Sequence, residues 1–556
     1  MDPIAFFSME YALSDDGPAF AGGLGVLAVD YLMEAGKQGL PLYAFGLFYH
    51  NQPREAEKWE TLTEANGAPL TLTICLADRN LLLAVRTKKF GSAQLLLLDT
   101  DLPANPPSDR EIVRSPYGPD HWNMIVQQLV LGLGSIELLK ALKLTPAVYH
   151  LNEGHTSFVI LARLLDKLNG DCAIRPHAVL DTLKPEIVAT KHTILPAAGL
   201  FLPKDQLEKA YTLCAEGKPC HFDEFYALGT DPTHPDSFST TKFLLEFSAR
   251  ANAVSQLHAK FEASVHPGSP LFGITNGINP ERWEAENIKD SLSLTGDPPG
   301  RDKAGQAPSP RGQDPQSKST ELTDQDFWRL HNENRAKLIN FINQETNGNL
   351  NPDALTIVWA RRFATYKHPE ILLSDPKRLL DIVNNPKYPI QFIVAGKINL
   401  ADLAAAENAR RFTNVTSDPL FKNKIAFLPN YSLSIAKTLT AGADIWLNTP
   451  EVGKEACGTS GMKAGLNGAL EMSTSDGWIG EVDLENLGWV LASGETANSL
   501  YEVLEKSVAP MFYSRDPENL PVAWVQRMQA TRKLILDRFT TKRMLDDYLN
   551  KLYFPK

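Results

Sequence analysis

Between Glu451 and Glu481 the chain reads EVGKEACGTSGMKAGLNGALEMSTSDGWIGE. Gly458, Thr459, Ser460 and Gly461 come directly before Met462 and Lys463, after a strand-like apolar run from Ala443 to Asn448. Small residues at a strand-to-helix turn expose consecutive backbone N–H groups. The helix that follows adds the positive end of its dipole, and the combination binds anions, most often phosphate. Lys463 lies about one helical turn beyond that cradle. A lysine there can contact phosphate as a point charge, or form a Schiff base with an aldehyde cofactor whose phosphate occupies the cradle. Taken alone, the run is equally compatible with an ordinary Gly-rich turn.

A second cluster, Arg361-Arg362-Phe363-Ala364-Thr365-Tyr366-Lys367, follows the apolar run that ends at Ala360. Ligands of doubly wound α/β folds gather beyond the carboxyl ends of strands, so this spacing delivers three basic side chains to a cleft edge. Arginine offers a planar fork for phosphate oxygens and lysine a compact charge. By itself the segment is more readily an exposed basic turn. Gly22-Gly23-Leu24-Gly25 marks another strand-to-helix junction, where glycine permits a tight backbone. His192, in KHTILP, is a lone histidine of the kind that more often serves packing than catalysis.

The elements that must carry these residues follow from apolar periodicity. Ile4 to Ser8 reads as a strand, Gly22 to Gly39 as a turn opening a helix, and Pro41 to Tyr49, Leu70 to Cys75 and Leu81 to Arg86 as further strands. Trp122 to Leu142 has helical spacing, Ala147 to Asn152 is a strand, and a helix follows through Leu168. This alternation predicts an α/β unit with a largely parallel sheet. A second set comprises Leu355 to Ala360, Ile390 to Ala395, Ile425 to Leu428 and Ala443 to Asn448. Thr323 with Asp326 predicts a capping box opening a helix to about Gln344, and Arg527 to Leu552 reads as helix with few breakers. Together the halves predict two doubly wound domains with a cleft between them. Thr295 to Thr320 is rich in Pro, Gly and charge and lacks aromatic and branched aliphatic residues, so it predicts a flexible insertion.

At 556 residues the chain exceeds what one core usually supports. Its 43% hydrophobic and 22% charged content is that of a globular enzyme. A formal net charge of −11 argues against nucleic acid and anionic membrane as partners, though a local basic pocket remains compatible with it. The five cysteines are scattered, which fits a reducing cytosol better than a disulfide framework. Cys214, Cys220 and His221 lack a second ligand pair at zinc spacing, so no metal site is expected. The N-terminus has no basic region before its short apolar run and does not read as a secretory signal.

The segment around Lys463 resembles the signature of the α-glucan phosphorylases, the glycogen, starch and maltodextrin enzymes that carry pyridoxal phosphate. That signature is close to Glu-Ala-Ser-Gly-Thr-x-x-Met-Lys-x-x-x-Asn-Gly. Glu455, Ala456, Gly458, Thr459, Met462, Lys463, Asn467 and Gly468 match it, and Cys457 stands where serine is usual. The resemblance runs from Ile4 to the C-terminal helix, interrupted mainly by the insertion, and is nearest to the compact bacterial and archaeal members. It implies Lys463 as the cofactor lysine, with Gly458, Thr459, Ser460 and Arg361 on the cofactor phosphate and Tyr431 near its ring. Arg362 and Lys367 are implied as the clamp on the substrate phosphate, with Tyr366 beside them and Gly22 and Gly23 approaching from the opposite wall. Asn152, Glu153, Asn276, Glu455, Cys457 and Gly458 are implied in the sugar pocket, and His192 both there and in catalysis. Glu10, in FSMEY, falls near the cofactor without an assigned role. Val29 stands where relatives often carry glycine and is expected to narrow the turn; Cys457, beside basic residues, is expected to be an oxidant-sensitive thiol of depressed pKa. The regulatory N-terminal arm of the long animal enzymes is not found, so their phosphorylation control and nucleotide effector site are not implied.

The activity implied by this resemblance is reversible phosphorolysis of an α-1,4-glucan with retention, in a GT-B-like arrangement. Pyridoxal 5'-phosphate would be the cofactor; glucan, inorganic phosphate and glucose 1-phosphate the partners; a homodimer one assembly; and the cytoplasm the location. Residues 1–276 would form the glucan and sugar domain, 277–350 a connection containing the insertion at about 295–320, 351–535 the cofactor and phosphate domain, and 536–556 a C-terminal helix. Two rivals are a nucleotide-sugar glycosyltransferase of the same architecture, which would not need Lys463, and a non-catalytic glucan-binding relative. Replacing most of Thr295 to Thr320 by a short linker is expected to leave melting temperature and turnover nearly unchanged, because loop-closure entropy varies slowly with length. Lost turnover at preserved stability would show instead that the insertion covers the cleft.

Overall fold

The computed structural model describes residues 2–15, 20, 22–50, 58–118, 120–194, 201–215, 220–231, 234–266, 268–269, 271–295, 322–398 and 402–555. From residue 296 onward the expected insertion lies outside them.

The first half contributes β1 (Ile4–Phe7), β2 (Leu42–Leu47), β3 (Glu60–Thr61), β4 (Thr71–Cys75), β5 (Asn80–Phe90), β6 (Ala93–Asp99), β7 (Val148–Asn152) and β8 (Ile187–Lys191). The short strands β9 (Phe201–Pro203), β10 (Thr230–Asp231) and β11 (His234–Ser239) follow, then β12 (Arg250–Ala253) and β13 (Leu271–Gly273). Ten of these strands form one sheet in the order β13-β12-β8-β7-β1-β2-β6-β5-β3, with β4 also paired to β5. β5 runs antiparallel to β3, β4 and β6, so the sheet is mixed rather than largely parallel. Only Gly91 and Ser92 separate β5 from β6, too few residues for a crossover, and the chain must return antiparallel. The second half contributes β14 (Leu355–Ala360), β15 (Ile390–Ala395), β16 (Ile425–Leu428), β17 (Ile445–Asn448), β18 (Leu470–Ser473) and β19 (Gly488–Val490). They form a sheet in the order β16-β15-β14-β17-β18-β19, parallel throughout.

Both sheets reverse their winding once. In the first, the chain moves outward from β1 through β2 and β6, then places β7 on the other side of β1. In the second it moves outward from β14 through β15 and β16, then places β17 on the other side of β14. The strand ends at β1/β7 and β14/β17 therefore diverge and open a crevice, where ligands of such sheets bind.

Helices cover the sheets. α1 (Gly23–Lys37) packs on the first sheet, and Val29 is buried inside it at 1% exposure, so it fills core rather than narrowing the glycine turn. Among the described residues α2 (His121–Ala141) is the one helix long and apolar enough to cross a membrane, and 67% of its apolar window is buried inside the protein. α3 (Asp324–Thr346) opens as its spacing predicts, with Thr323 Oγ1 accepting from the Asp326 N–H at 3.1 Å. α4 (Thr459–Leu466) follows β17, and α5 (Val522–Arg538) lays Trp524, Val525 and Met528 into the second core. The C-terminal run is not one helix. It breaks at Phe539 and Thr540, where Thr540 bridges to Ile278 and caps α6 (Thr541–Asp547). The break lets the chain cross back, so that Met544, Leu545, Leu552 and Tyr553 join the core under the first sheet. A further apolar cluster draws on both halves, including Val26, Val254, Ile278 and Trp283 with Leu433, Cys457, Met462 and Ile535.

The cysteines differ from the expectation of a scattered, unpaired set. Cys172 and Cys220, 48 residues apart in sequence, form a disulfide with a Cα–Cα distance of 5.6 Å. The fold brings together residues that linear spacing keeps apart. Cys75, Cys214 and Cys457 are free.

A buried hydrogen-bond chain locks the C-terminus to the first sheet. The Thr190 hydroxyl donates to Asn252 Oδ1 at 2.6 Å, so its oxygen must accept from His150 Nε2 at 2.7 Å. His150 Nδ1 then accepts from the Tyr553 hydroxyl at 2.6 Å, and Tyr31 donates to Tyr553 at 2.6 Å. Burial pushes the His150 pKa down to about 3, consistent with a neutral ring. Tyr553→Phe strands the Tyr31 hydroxyl and His150 Nδ1, each costing about 1–3 kcal/mol when buried and unpaired. Urea unfolding is expected to show a lower midpoint with an unchanged slope.

Candidate active site

The site is built on the strand ends of the second switch point. β14 ends at Ala360, and the backbone turns at once to present Arg361 and Lys367. The loop after β17 carries Glu455 and is shaped by Asp476, whose Oδ2 accepts from the N–H groups of Gly453, Lys454 and Glu455 at 2.9, 3.0 and 2.8 Å. This fixes the Glu455 carboxylate 3.0 Å from Arg361 Nη1 and 2.7 Å from Lys367 Nζ, with all three residues buried. Burial alone would raise the Glu455 pKa, but Lys367 and Arg361 together hold it below its ordinary value. Two cations thus share one anion, leaving a positive excess in a low-dielectric pocket. Arg362 behaves differently: its side chain is exposed and has no ion pair among the described residues. Tyr366 is half-buried, with Lys367 Nζ 4.8 Å from its ring centroid.

α4 begins beside this cluster. Gly458, at φ 86, takes the left-handed conformation that turns the loop into the helix, a conformation costly for residues bearing a Cβ. Thr459 and Ser460 form the first turn, and Trp446 Nε1 donates to Ser460 Oγ at 3.2 Å. One turn on, Lys463 is buried with its Nζ 4.0 Å from the Trp283 ring centroid. Trp283 is itself held by Asp30, which accepts from its indole N–H at 2.8 Å and pairs with Arg282 at 2.8 Å. Burial, reinforced by Arg282 and opposed by Asp30, lowers the Lys463 pKa from its ordinary value to about 8, so free amine is far more accessible near neutral pH than for an exposed lysine. Burial pushes the half-buried Tyr431 up to about 12, against the pull of nearby Arg361.

These residues fit a phosphate-bearing aldehyde. The lysine is poised to act as a nucleophile, the helix start supplies N–H donors, and the buried Nε of Arg361 has no hydrogen-bond partner.

The first switch point gathers a second set of the expected residues. Glu10, after β1, accepts from the Gly22 N–H at 3.2 Å and from the Tyr117 hydroxyl at 3.1 Å. A Cβ on Gly22 or Gly23 would meet nothing within 4 Å, so this turn faces open space. Asn152 ends β7, and Glu153 follows at φ 77 and ψ 161, a conformation costing about 1–3 kcal/mol for a residue with a side chain. The Glu153 carboxylate accepts from the His192 N–H at 2.8 Å and from the Thr193 hydroxyl at 3.2 Å. Asn152 Nδ2 donates to Ser8 Oγ at 3.3 Å, so its Oδ1 faces His192 Nε2 at 2.6 Å. Nε2 therefore donates, leaving Nδ1 as an acceptor, and burial lowers the His192 pKa to about 4. Asn276 is buried with its Oδ1 unpartnered, while Arg543 Nη2 donates to its backbone carbonyl at 3.2 Å.

Cys457 departs from its expectation. It is 4% exposed, and burial, together with Glu481 and Glu455, raises its pKa far above the ordinary thiol range. Arg543 pulls the other way but does not offset burial and the two carboxylates, so the site holds a protonated, inert thiol rather than an activated one. Asp476 and the Asp30–Arg282 pair were missed from sequence. A Ser-Asp-Gly turn and an acid in mid-helix carry no local sign of the loop or the indole they support.

Residues 252–535 match the family described as carbohydrate phosphorylase. The chain is 33% identical to a maltodextrin phosphorylase of Thermococcus litoralis, covering 99% of this chain and 70% of the relative. It is 32% identical to a glycogen phosphorylase of Mycobacterium tuberculosis, over 99% of this chain and 71% of the relative. Against a glycogen phosphorylase of Aquifex aeolicus the figures are 30% identity, 99% and 86%.

Glu455→Gln leaves Arg361 and Lys367 buried without their anion, an expected loss of roughly 3–5 kcal/mol near neutral pH without added phosphate. Because the folded pKa of Glu455 is depressed, its contribution is fully present above the ordinary value of 4.5 and drains away as pH falls through the lower folded value. Urea unfolding across that range should show wild type and variant converging in acid.

Proposed function

The chain belongs to the carbohydrate phosphorylase family, and on that premise we propose that it cleaves α-1,4-glucans with inorganic phosphate, reversibly, releasing α-glucose 1-phosphate with retention. The observation that carries this reading is the convergence of Arg361, Lys367 and Glu455 beside the helix bearing Lys463. Such a pocket suits two phosphate groups held close together, because like charges can share a site only where cations offset them. We read the chain as two doubly wound units facing one another across a cleft, with the two switch points as its walls. The division at 1–276, 277–350, 351–535 and 536–556 is part of this reading.

Lys463 would hold pyridoxal 5'-phosphate by its aldehyde, with the N–H groups of Gly458, Thr459 and Ser460 and the Arg361 guanidinium on its phosphate and Tyr431 against its ring. When bound, that group supplies a phosphate monoester whose second pKa near ~6 permits proton exchange close to neutral pH. Arg362, free in solvent, and Lys367, shared with Glu455, take the incoming phosphate. Gly22 and Gly23 lie on the open face of the opposite wall. His192 presents Nδ1 as an acceptor for a sugar hydroxyl, its ring held by Asn152 and its backbone by Glu153. Asn276 has a free buried Oδ1 for a second hydroxyl, and the backbone of Cys457 and Gly458 closes the sugar pocket. The apolar cluster around Trp283, Met462 and Trp478 keeps water from the Lys463 side.

Purified protein is expected to form glucose 1-phosphate from maltodextrin and phosphate, and to carry a borohydride-fixed cofactor adduct on Lys463. Arg362→Ala is expected to raise the KM for phosphate and glucose 1-phosphate by roughly tenfold or more, the loss of one charge-assisted contact. An adduct mapped elsewhere, or sugar transfer only from a nucleotide sugar, would overturn the assignment.

A further inference from the structure

Glu471 is the second residue of β18 and is 1% exposed. Its register partners are Trp446 in β17 and Gly488 in β19. Neighbours in register on parallel strands point to the same face, so Glu471 rises beside Trp446, whose indole reaches Ser460 in the first turn of α4. A Cβ on Gly461 would lie 2.4 Å from Glu471 Oε1 and 2.8 Å from both Cδ and Oε2. The carboxyl group therefore lies against the start of α4, in room that only glycine at position 461 leaves. Oε1 has no hydrogen-bond partner, and neither does the buried Nε of Arg361. An acid and a guanidinium that act on each other electrostatically thus each carry a buried polar atom left unsatisfied until a ligand meets it.

Resting on the cofactor reading above, we propose that Glu471 is a ligand of the phosphate group seated on α4, sharing a proton with it and tightening its retention only while the carboxyl is neutral. The charged group that acts on Glu471 is Arg361, from the turn after β14, itself paired with Glu455; Lys463 lies two residues beyond Gly461 on α4, and Arg527 of α5 donates to the carbonyl of Gly488, the register partner, at 3.4 Å. β17 and β19 carry no titratable side chain. Burial raises the Glu471 pKa to about 8, with Arg361 pulling weakly the other way. The acid is therefore neutral at pH 7 and can donate to a phosphate oxygen. Above its titration it becomes a carboxylate facing a dianion, so phosphate binding weakens as pH rises. Nothing in the sugar or phosphate chemistry described above uses this side chain.

The test compares dissociation constants of pyridoxal 5'-phosphate and of pyridoxal for the full chain, read from absorbance, in wild type and Glu471→Gln. For pyridoxal 5'-phosphate the wild-type-to-variant ratio is expected near one at about pH 7 and to rise about tenfold per pH unit once the acid ionises. With pyridoxal, which lacks the phosphate, it should stay flat. A flat ratio for both ligands, or the same rise for both, overturns the inference while leaving the cofactor assignment standing. Wild type that binds neither on Lys463 overturns both. Should the variant not fold, phosphorus NMR of the wild-type holoprotein is expected to show a second phosphate titration step above about pH 8, and its absence overturns the inference.

Discussion

The sharing of one buried carboxylate, Glu455, between Arg361 and Lys367 is the constraint on which the site depends. Neither cation could stay buried without it, and the carboxylate could not stay ionised without them. The arrangement exists because β14 and β17 are neighbours although β15 and β16 intervene in sequence. Their ends diverge, and the loops that follow meet over the gap. Asp476 then gathers three successive N–H groups of the second loop, which sets the height of Glu455 and the point at which α4 begins.

The same geometry couples the halves of the molecule. Trp283, from the end of the first half, lies against Lys463 on α4, and Asn467 at the helix end accepts from the Ala285 N–H at 2.8 Å and donates to the Trp283 carbonyl at 2.9 Å. Glu481 accepts from Gln256 and Thr275 across the same seam. The C-terminal crossing at Phe539 and Thr540 adds a covalent return, anchored by Arg250 Nε on the Leu552 carbonyl at 2.6 Å. The lysine environment is therefore a property of the joined halves.

Burial sorts the titratable groups into distinct states within one region. His150 and His192 are driven neutral, Lys463 is brought near its titration, Glu471 is pushed toward the acid form, and Glu455 and Glu153 are held ionised by partners. Desolvation acts on all of them, and the sign of the outcome depends on whether an opposite charge lies within a few ångströms.

Local spacing was enough to read the glycine-rich start of α4 with Lys463 one turn beyond, the basic turn after β14, most strands, and the Thr323 cap of α3. These are short-range signals in which backbone propensity, apolar period and capping chemistry agree. They did not reveal the antiparallel β3–β6 corner, where the apolar run at Leu95 to Leu98 has no visible direction until its partners are known. Nor did they reveal the break at Thr540, which depends on a bridge to Ile278, or the meeting of Cys172 with Cys220. Cys457 shows the limit most clearly: basic residues in the site suggested a thiolate, but the thiol is buried and the carboxylates of Glu481 and Glu455 hold it protonated. The sequence by itself determined which chemical groups are available and the local turns that carry them. The tertiary structure alone decided which of them are charged, because desolvation and ion pairing depend on neighbours scores to hundreds of residues away.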